Sequence, residues 1–126
     1  MKPQYKKLAT ILLLGFLIIG CYEDVISPER DPDGPPQSVS FKNDLAPLLN
    51  AKCTAVGCHV NGAHKPYMED VSLSFRNITS GGFVNTLLPK ESILYKQVNG
   101  AMSEFIPSKA DKQLIYDWIR NGAPNN

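Results

Sequence analysis

Leu8–Ile19 is almost wholly apolar, and a basic head of Lys2, Lys6 and Lys7 stands before it. The run is about 12 residues long, whereas a spanning helix needs ~20. A basic head followed by a short apolar stretch is the pattern of a secretory signal peptide. No other feature limits the chain so much, because it takes residues 1–20 out of the folding problem. What remains is one domain at most, too little for a two-domain enzyme with a separate cofactor fold. The charge changes with it. Without the three leader lysines, 10 basic residues face 12 acidic ones, so the mature chain is near −2 rather than the formal +1. No basic patch for nucleic acid is evident.

The end of the run, Leu17-Ile18-Ile19-Gly20-Cys21, resembles the bacterial lipobox. In that family the signal peptide is cut before the cysteine, which takes a diacylglyceryl group and becomes residue one. The resemblance implies lipidation at Cys21 and anchoring to a membrane of a bacterial cell envelope, on its periplasmic or cell-surface side. Each buried CH₂ contributes ~0.8 kcal/mol, so two or more acyl chains hold stably. An uncleaved anchor helix, or a plain secretory signal with Cys21 incidental, is the alternative. Residues 21–40 read as a lipid-anchored flexible linker. Pro28, Pro32, Pro35, Pro36 and Gly34 lie there among charges, and Pro-rich polar sequence stays extended without burying a core. Glu23-Asp24 resembles the acidic start of surface-exported lipoproteins; an acidic linker is the plainer account.

The folded part is expected over 41–126, all-α, with three to four helices. Phe41, Leu45, Leu48 and Leu49 mark one helical face, with Ser40 as N-cap and Asp44 in the first turn. Pro47 should kink that helix or mark a restart. Val71–Ile78 suits a strand, because Val71, Leu73 and Phe75 alternate, or equally a short helix. Ser92–Asn99 carries Leu94, Tyr95 and Val98 on one face. Ala110–Asn121 is the clearest helix, with Leu114, Ile115, Trp118 and Ile119 at helical spacing and Gly122 as its stop. A core this small gives little net stability, and domains of this size commonly need a staple.

Cys53-Thr54-Ala55-Val56-Gly57-Cys58-His59 supplies a candidate. The haem-attachment pattern is C-x-x-C-H, and here two extra residues separate the cysteines. Two thiols add to the two vinyl groups of a porphyrin, and a histidine directly after the second cysteine becomes the proximal iron ligand. The residues between the cysteines only span the vinyl separation, so a longer loop can bulge outward, helped by Gly57. Three other chemistries compete, a reactive free thiol being the least favoured. Cys53 and Cys58 could form a disulfide in an oxidising compartment, which leaves His59 unexplained. Cys53, Cys58, His59 and His64 could bind zinc, although adjacent Cys58 and His59 would strain a tetrahedral site.

Residues 41–123 resemble the small class I cytochrome c domain found on bacterial lipoproteins. Phe41–Leu49 is similar to that family's first helix, and Cys53, Cys58 and His59 to its haem-binding segment. Ser92-Ile93-Leu94-Tyr95 resembles its S-x-L-Y helix. Leu114–Ala123 (LIYDWIRNGA) resembles its terminal helix. The cysteine spacing departs from the family's, and its Met-Pro-Pro before the last helix is not present. The resemblance implies a cytochrome c-like bundle around one covalent haem c, held by Cys53 and Cys58 with His59 on the iron. It implies a single-electron carrier, not an enzyme, with redox proteins as partners. Met102 is the best candidate for the second axial ligand, because the family draws it from the loop before the terminal helix. Ile106-Pro107 resembles the family's Met-Pro with the Met lost, and His64, Met68 or an open iron are the rivals. Trp118 is expected to pack on the first helix or the haem, and Tyr95 and Tyr116 in the core or rim. Lys90, Lys96, Lys109 and Lys112 are a candidate docking face. Two other functions stay open: an interaction module with a Cys53–Cys58 disulfide and no haem, and a haem-based sensor or enzyme subunit with an open distal site.

Overall fold

The structure is a computed structural model that describes residues 31–126. The expectations placed on the signal peptide, on Cys21 and on the linker as far as Arg30 lie outside the described residues. Among the described residues every regular element is helical. A π turn, Phe41–Leu45, runs directly into α1, Ala46–Cys53. Then come α2, Val71–Ser80, a 3₁₀ turn at Pro89–Glu91, α3, Ile93–Asn99, and α4, Lys109–Arg120.

Every start but that of α3 has a side-chain cap, or a proline, that explains its position. The Ser40 hydroxyl accepts from Asn43 N (3.1 Å), and Asp44 Oδ2 accepts in return from Ser40 N (2.8 Å). This reciprocal arrangement satisfies two amide donors left without helical partners. Pro47 sits at the start of regular α-helix, where its missing N–H costs nothing, so the restart falls where the π turn ends. Asp70 Oδ1 accepts from Leu73 N (2.8 Å), which decides the ambiguous 71–78 stretch in favour of helix. On α4, Ser108 Oγ accepts from Asp111 N (3.2 Å). The helix ends through Gly122, whose φ of +89° only glycine adopts without strain. Ala123 N then returns to Trp118 O (2.9 Å).

The helices close on one core. Phe41, Leu45 and Leu49 meet Ile78, Val98, Ile115, Trp118 and Ile119, all nearly inaccessible to water. Trp118 stacks obliquely on Phe41 with centroids 5.2 Å apart, and Phe75 meets Phe41 edge-on at 5.1 Å. The indole N–H donates to Pro124 O (2.9 Å), so the largest core side chain buries no unsatisfied polar atom. Of the two surfaces expected for Trp118, the first-helix segment is the one it packs on.

The packed chain begins earlier than residue 41. Val39 is in the core at 2% exposure, and residues 32–37 lie along α4. The Arg120 guanidinium donates to the carbonyls of Pro32 (3.0 Å), Asp33 (3.2 Å) and Gly34 (2.6 Å). The Asp33 carboxylate takes the Lys90 ammonium (2.6 Å) and the Tyr116 hydroxyl (2.8 Å), and these two bonds hold its pKa below the usual carboxylate range. Asp117, fully buried, accepts from Gln37 N (3.2 Å), Gln113 Nε2 (2.9 Å) and Arg120 (3.2 Å). Composition points to a free tether here, but α4 supplies the backbone partners that an extended segment lacks by itself. The C-terminus closes on the same region: Lys42 N and Ser40 Oγ both donate to Asn126 O at 2.9 Å.

Candidate functional site

The loop from the end of α1 to Met68 is built by backbone bonds that bring the cysteines and the histidine together. His59 N donates to Cys53 O (3.0 Å) and Cys58 N to Ala55 O (2.8 Å), folding the longer inter-cysteine segment into a compact turn. Gly57 holds φ at +83°, a region that a side chain would strain. Val56, at the tip, stands fully in solvent. The two residues beyond C-x-x-C therefore go into an outward bulge, and both cysteines and His59 border one cavity.

That cavity has a volume of about 540 Å³, within the range of ~300–1,000 Å³ usual for cofactor pockets. Its walls are mostly apolar: Leu49, Met68, Phe83, Leu94, Val98 and Ile106, with Ile93, Met102 and Phe105 towards the exposed side. Lys52 and Lys65 are its charged side chains, and among the described residues no carboxylate lines it. Cys53, Cys58, His59, His64, Met68 and Met102 all reach it. Trp118, Tyr95 and Tyr116 do not; Tyr95 of α3 and Tyr116 of α4 pair with each other at 4.8 Å. Of the four lysines considered as a docking face, Lys90 and Lys96 are engaged by Asp33 and Glu91.

His59 is held in one tautomer. Its Nδ1 lies 3.0 Å from Pro66 O and 3.2 Å from His64 O. A carbonyl only accepts, so Nδ1 carries the hydrogen, and in the neutral ring the lone pair is then on Nε2. A metal-binding imidazole is prepared in this way, with the far nitrogen fixed by a carbonyl and the near one free to ligate. Pro66 was not legible as a functional residue, because its contribution is a backbone oxygen in an irregular loop.

The residues expected as rivals for the second ligand position divide by how they are attached. His64 N donates to Cys58 O (3.0 Å) and Met68 N to His59 O (2.8 Å), so both belong to the same loop as His59. Met102 comes from the segment after α3, where its N–H donates to Gln97 O (2.8 Å). Its side chain is 38% exposed, whereas Ile106 nearby is 1% exposed.

Both cysteines are free thiols. Burial pushes the Cys53 thiol from 9.0 up to about 11, and the neighbouring Cys58 adds a smaller push the same way. A raised thiol pKa favours the folded chain below pH 9, and that contribution fades as pH rises from 9 towards 11. At pH 8 Cys53 should hold ~100-fold less thiolate than an ordinary thiol. Alkylation by iodoacetamide in the haem-free chain is therefore expected to be slow at Cys53 and to accelerate up to pH 11. A Cys53 rate that plateaus near pH 9 would contradict the burial. Among the described residues no three His, Cys, Asp or Glu side chains form a group able to hold a metal ion. The zinc set Cys53, Cys58, His59 and His64 is thus not assembled. A haem iron needs no such cluster, since the porphyrin brings four nitrogens.

Comparison with family models, with curated proteins and with solved structures gives no match. The functional reading rests on the site itself.

Proposed function

We propose that this chain is a lipid-anchored monohaem c-type cytochrome, carrying single electrons at a bacterial membrane. One observation carries the reading. His59 is fixed by Pro66 O through Nδ1, at 3.0 Å, on the wall of an apolar cavity that also holds Cys53 and Cys58. The residues fit the group: two thiols to hold a porphyrin edge, an imidazole with a free Nε2 for the iron, and apolar walls for the ring faces. When bound there, haem supplies one-electron exchange, with a potential set by axial ligand and burial.

The chain's own residues do the rest. Cys53 and Cys58 hold the cofactor covalently. The Pro66 carbonyl orients His59 and keeps its proton off Nε2. Leu49, Leu94, Val98 and Ile106 keep water from the cavity floor. Met102 is the proposed second axial ligand, since His64 and Met68 are tied by backbone bonds to the proximal loop. No catalytic residue is assigned. The partners are redox proteins, reached from an envelope location set by Cys21.

Met102→Ala tests the carrier role in the haem-loaded protein. Loss of a soft, neutral thioether should lower the potential and remove the weak sulfur–iron band of the oxidised form. The reduced form should then bind carbon monoxide. Met68→Ala should do none of these. If Met102→Ala leaves spectrum and potential unchanged, Met102 is a packing residue, and a sensor or enzyme subunit with an open or differently filled distal site is the better account.

A further inference from the structure

We infer that Leu87 and Leu88 form a second membrane contact of the lipid-anchored protein. This rests on the reading of Cys21 as an acylated residue. The two leucines are 90% and 60% exposed, yet the turn that carries them is firmly built. Asn85 Oδ1 accepts from Leu87 N (3.1 Å) and Leu88 N (3.0 Å). Asn85 N donates to the hydroxyl of Ser92 (2.8 Å), itself buried, and Glu91 N donates to Leu88 O (2.8 Å). A pre-organised apolar knuckle loses little conformational freedom when it is buried against another surface.

The path of the chain selects a lipid surface as that partner. Asp33 is bonded to Lys90 at 2.6 Å, two residues beyond Leu88, and Arg120 holds the adjoining carbonyls. Cys21 is twelve residues upstream of Asp33, so its acyl group lies within roughly 40 Å of that point, at ~3.3–3.6 Å per residue. The strap thus brings the start of the described chain beside the knuckle, and the short length of sequence back to Cys21 favours this side of the domain for the bilayer contact. Neither leucine lines the cavity, so the contact is distinct from the haem site proposed above. Moving a leucine side chain from water into lipid favours the contact on the order of tenfold or more per residue.

The test uses full-length protein in vesicles of phosphatidylethanolamine and phosphatidylglycerol, with or without brominated acyl chains. Leu87→Trp is compared with Arg76→Trp, an exposed position on α2, after subtraction of parent emission. Leu87→Trp should emit at shorter wavelength and lose intensity in the brominated vesicles, and Arg76→Trp should not. Intact mass reports Cys21 separately. If Cys21 is acylated and Leu87→Trp behaves like Arg76→Trp, the knuckle proposal fails and the anchor stands. If Leu87→Trp is blue-shifted without bromine quenching, and only at high protein density, the knuckle meets a second copy instead. An unacylated Cys21 overturns the anchor reading, and this proposal with it.

Discussion

Replacing Cys58 with serine is expected to remove most of the haem that survives denaturation, while Cys53→Ser keeps a larger fraction through one remaining thioether. The asymmetry follows from the loop. Cys58 is joined directly to His59, so a bond at Cys58 fixes the cofactor in register with the one imidazole whose Nδ1 is already engaged by Pro66 (3.0 Å). Both thiols are half-buried, but Cys53 is the one that burial raises to about 11, and it is therefore the poorer nucleophile left to act alone. Each variant, expressed with a cytochrome c maturation system, is unfolded, extracted with acid–acetone and assayed for retained haem. Equal retention in both variants would mean that the His59 adjacency does not set the register.

The second large effect is on stability, away from the cavity. Asp117→Ala is expected to destabilise the fold by about 3–5 kcal/mol, the usual cost of removing one partner from a buried ionic network. Its carboxylate is fully buried and receives Gln37 N, Gln113 and Arg120, so alanine leaves Gln37 N without this acceptor and takes one acceptor from each of Gln113 and Arg120, which keep backbone carbonyls of the strap. Domains of this class hold only ~5–15 kcal/mol in total, so much of the margin would go. Asp117→Asn, which keeps an acceptor oxygen, should cost distinctly less. Urea unfolding read by Trp118 fluorescence measures both. Asp33→Asn, at an exposed pair, should shift the midpoint little, because solvent screens it. An Asp117→Ala midpoint close to the parent's would show that the strap is not held through α4.

How much of this was legible in the sequence depends on where the information sits. α4 was plain, because Leu114, Ile115, Trp118 and Ile119 repeat at helical spacing up to a glycine stop. α2 was not, since Val71, Leu73 and Phe75 also alternate, and the capping bond from Asp70 that decides it is a geometric fact. The strap at 31–37 was hidden altogether. Its prolines and charges match a free linker, and its partners on α4 are about 80 residues away, so no local pattern records the pairing. At the site, Cys53, Cys58, His59 and Met102 were readable because their side-chain chemistry is distinctive, and the structure brings all four to one cavity. The orientation of His59 was not readable, because a backbone carbonyl supplies it. The walls contributed by Phe83, Ile93 and Phe105 come from loops and helix ends with no periodic signal.

The central claim is that Cys53 and Cys58 hold a haem, with His59 at its iron. The most direct measurement is the intact mass of the wild-type protein, matured with haem available and then fully denatured. The account predicts a polypeptide heavier by one haem and red after acid–acetone extraction. A denatured chain at polypeptide mass alone, or lighter by the two hydrogens lost to a Cys53–Cys58 disulfide, would contradict it.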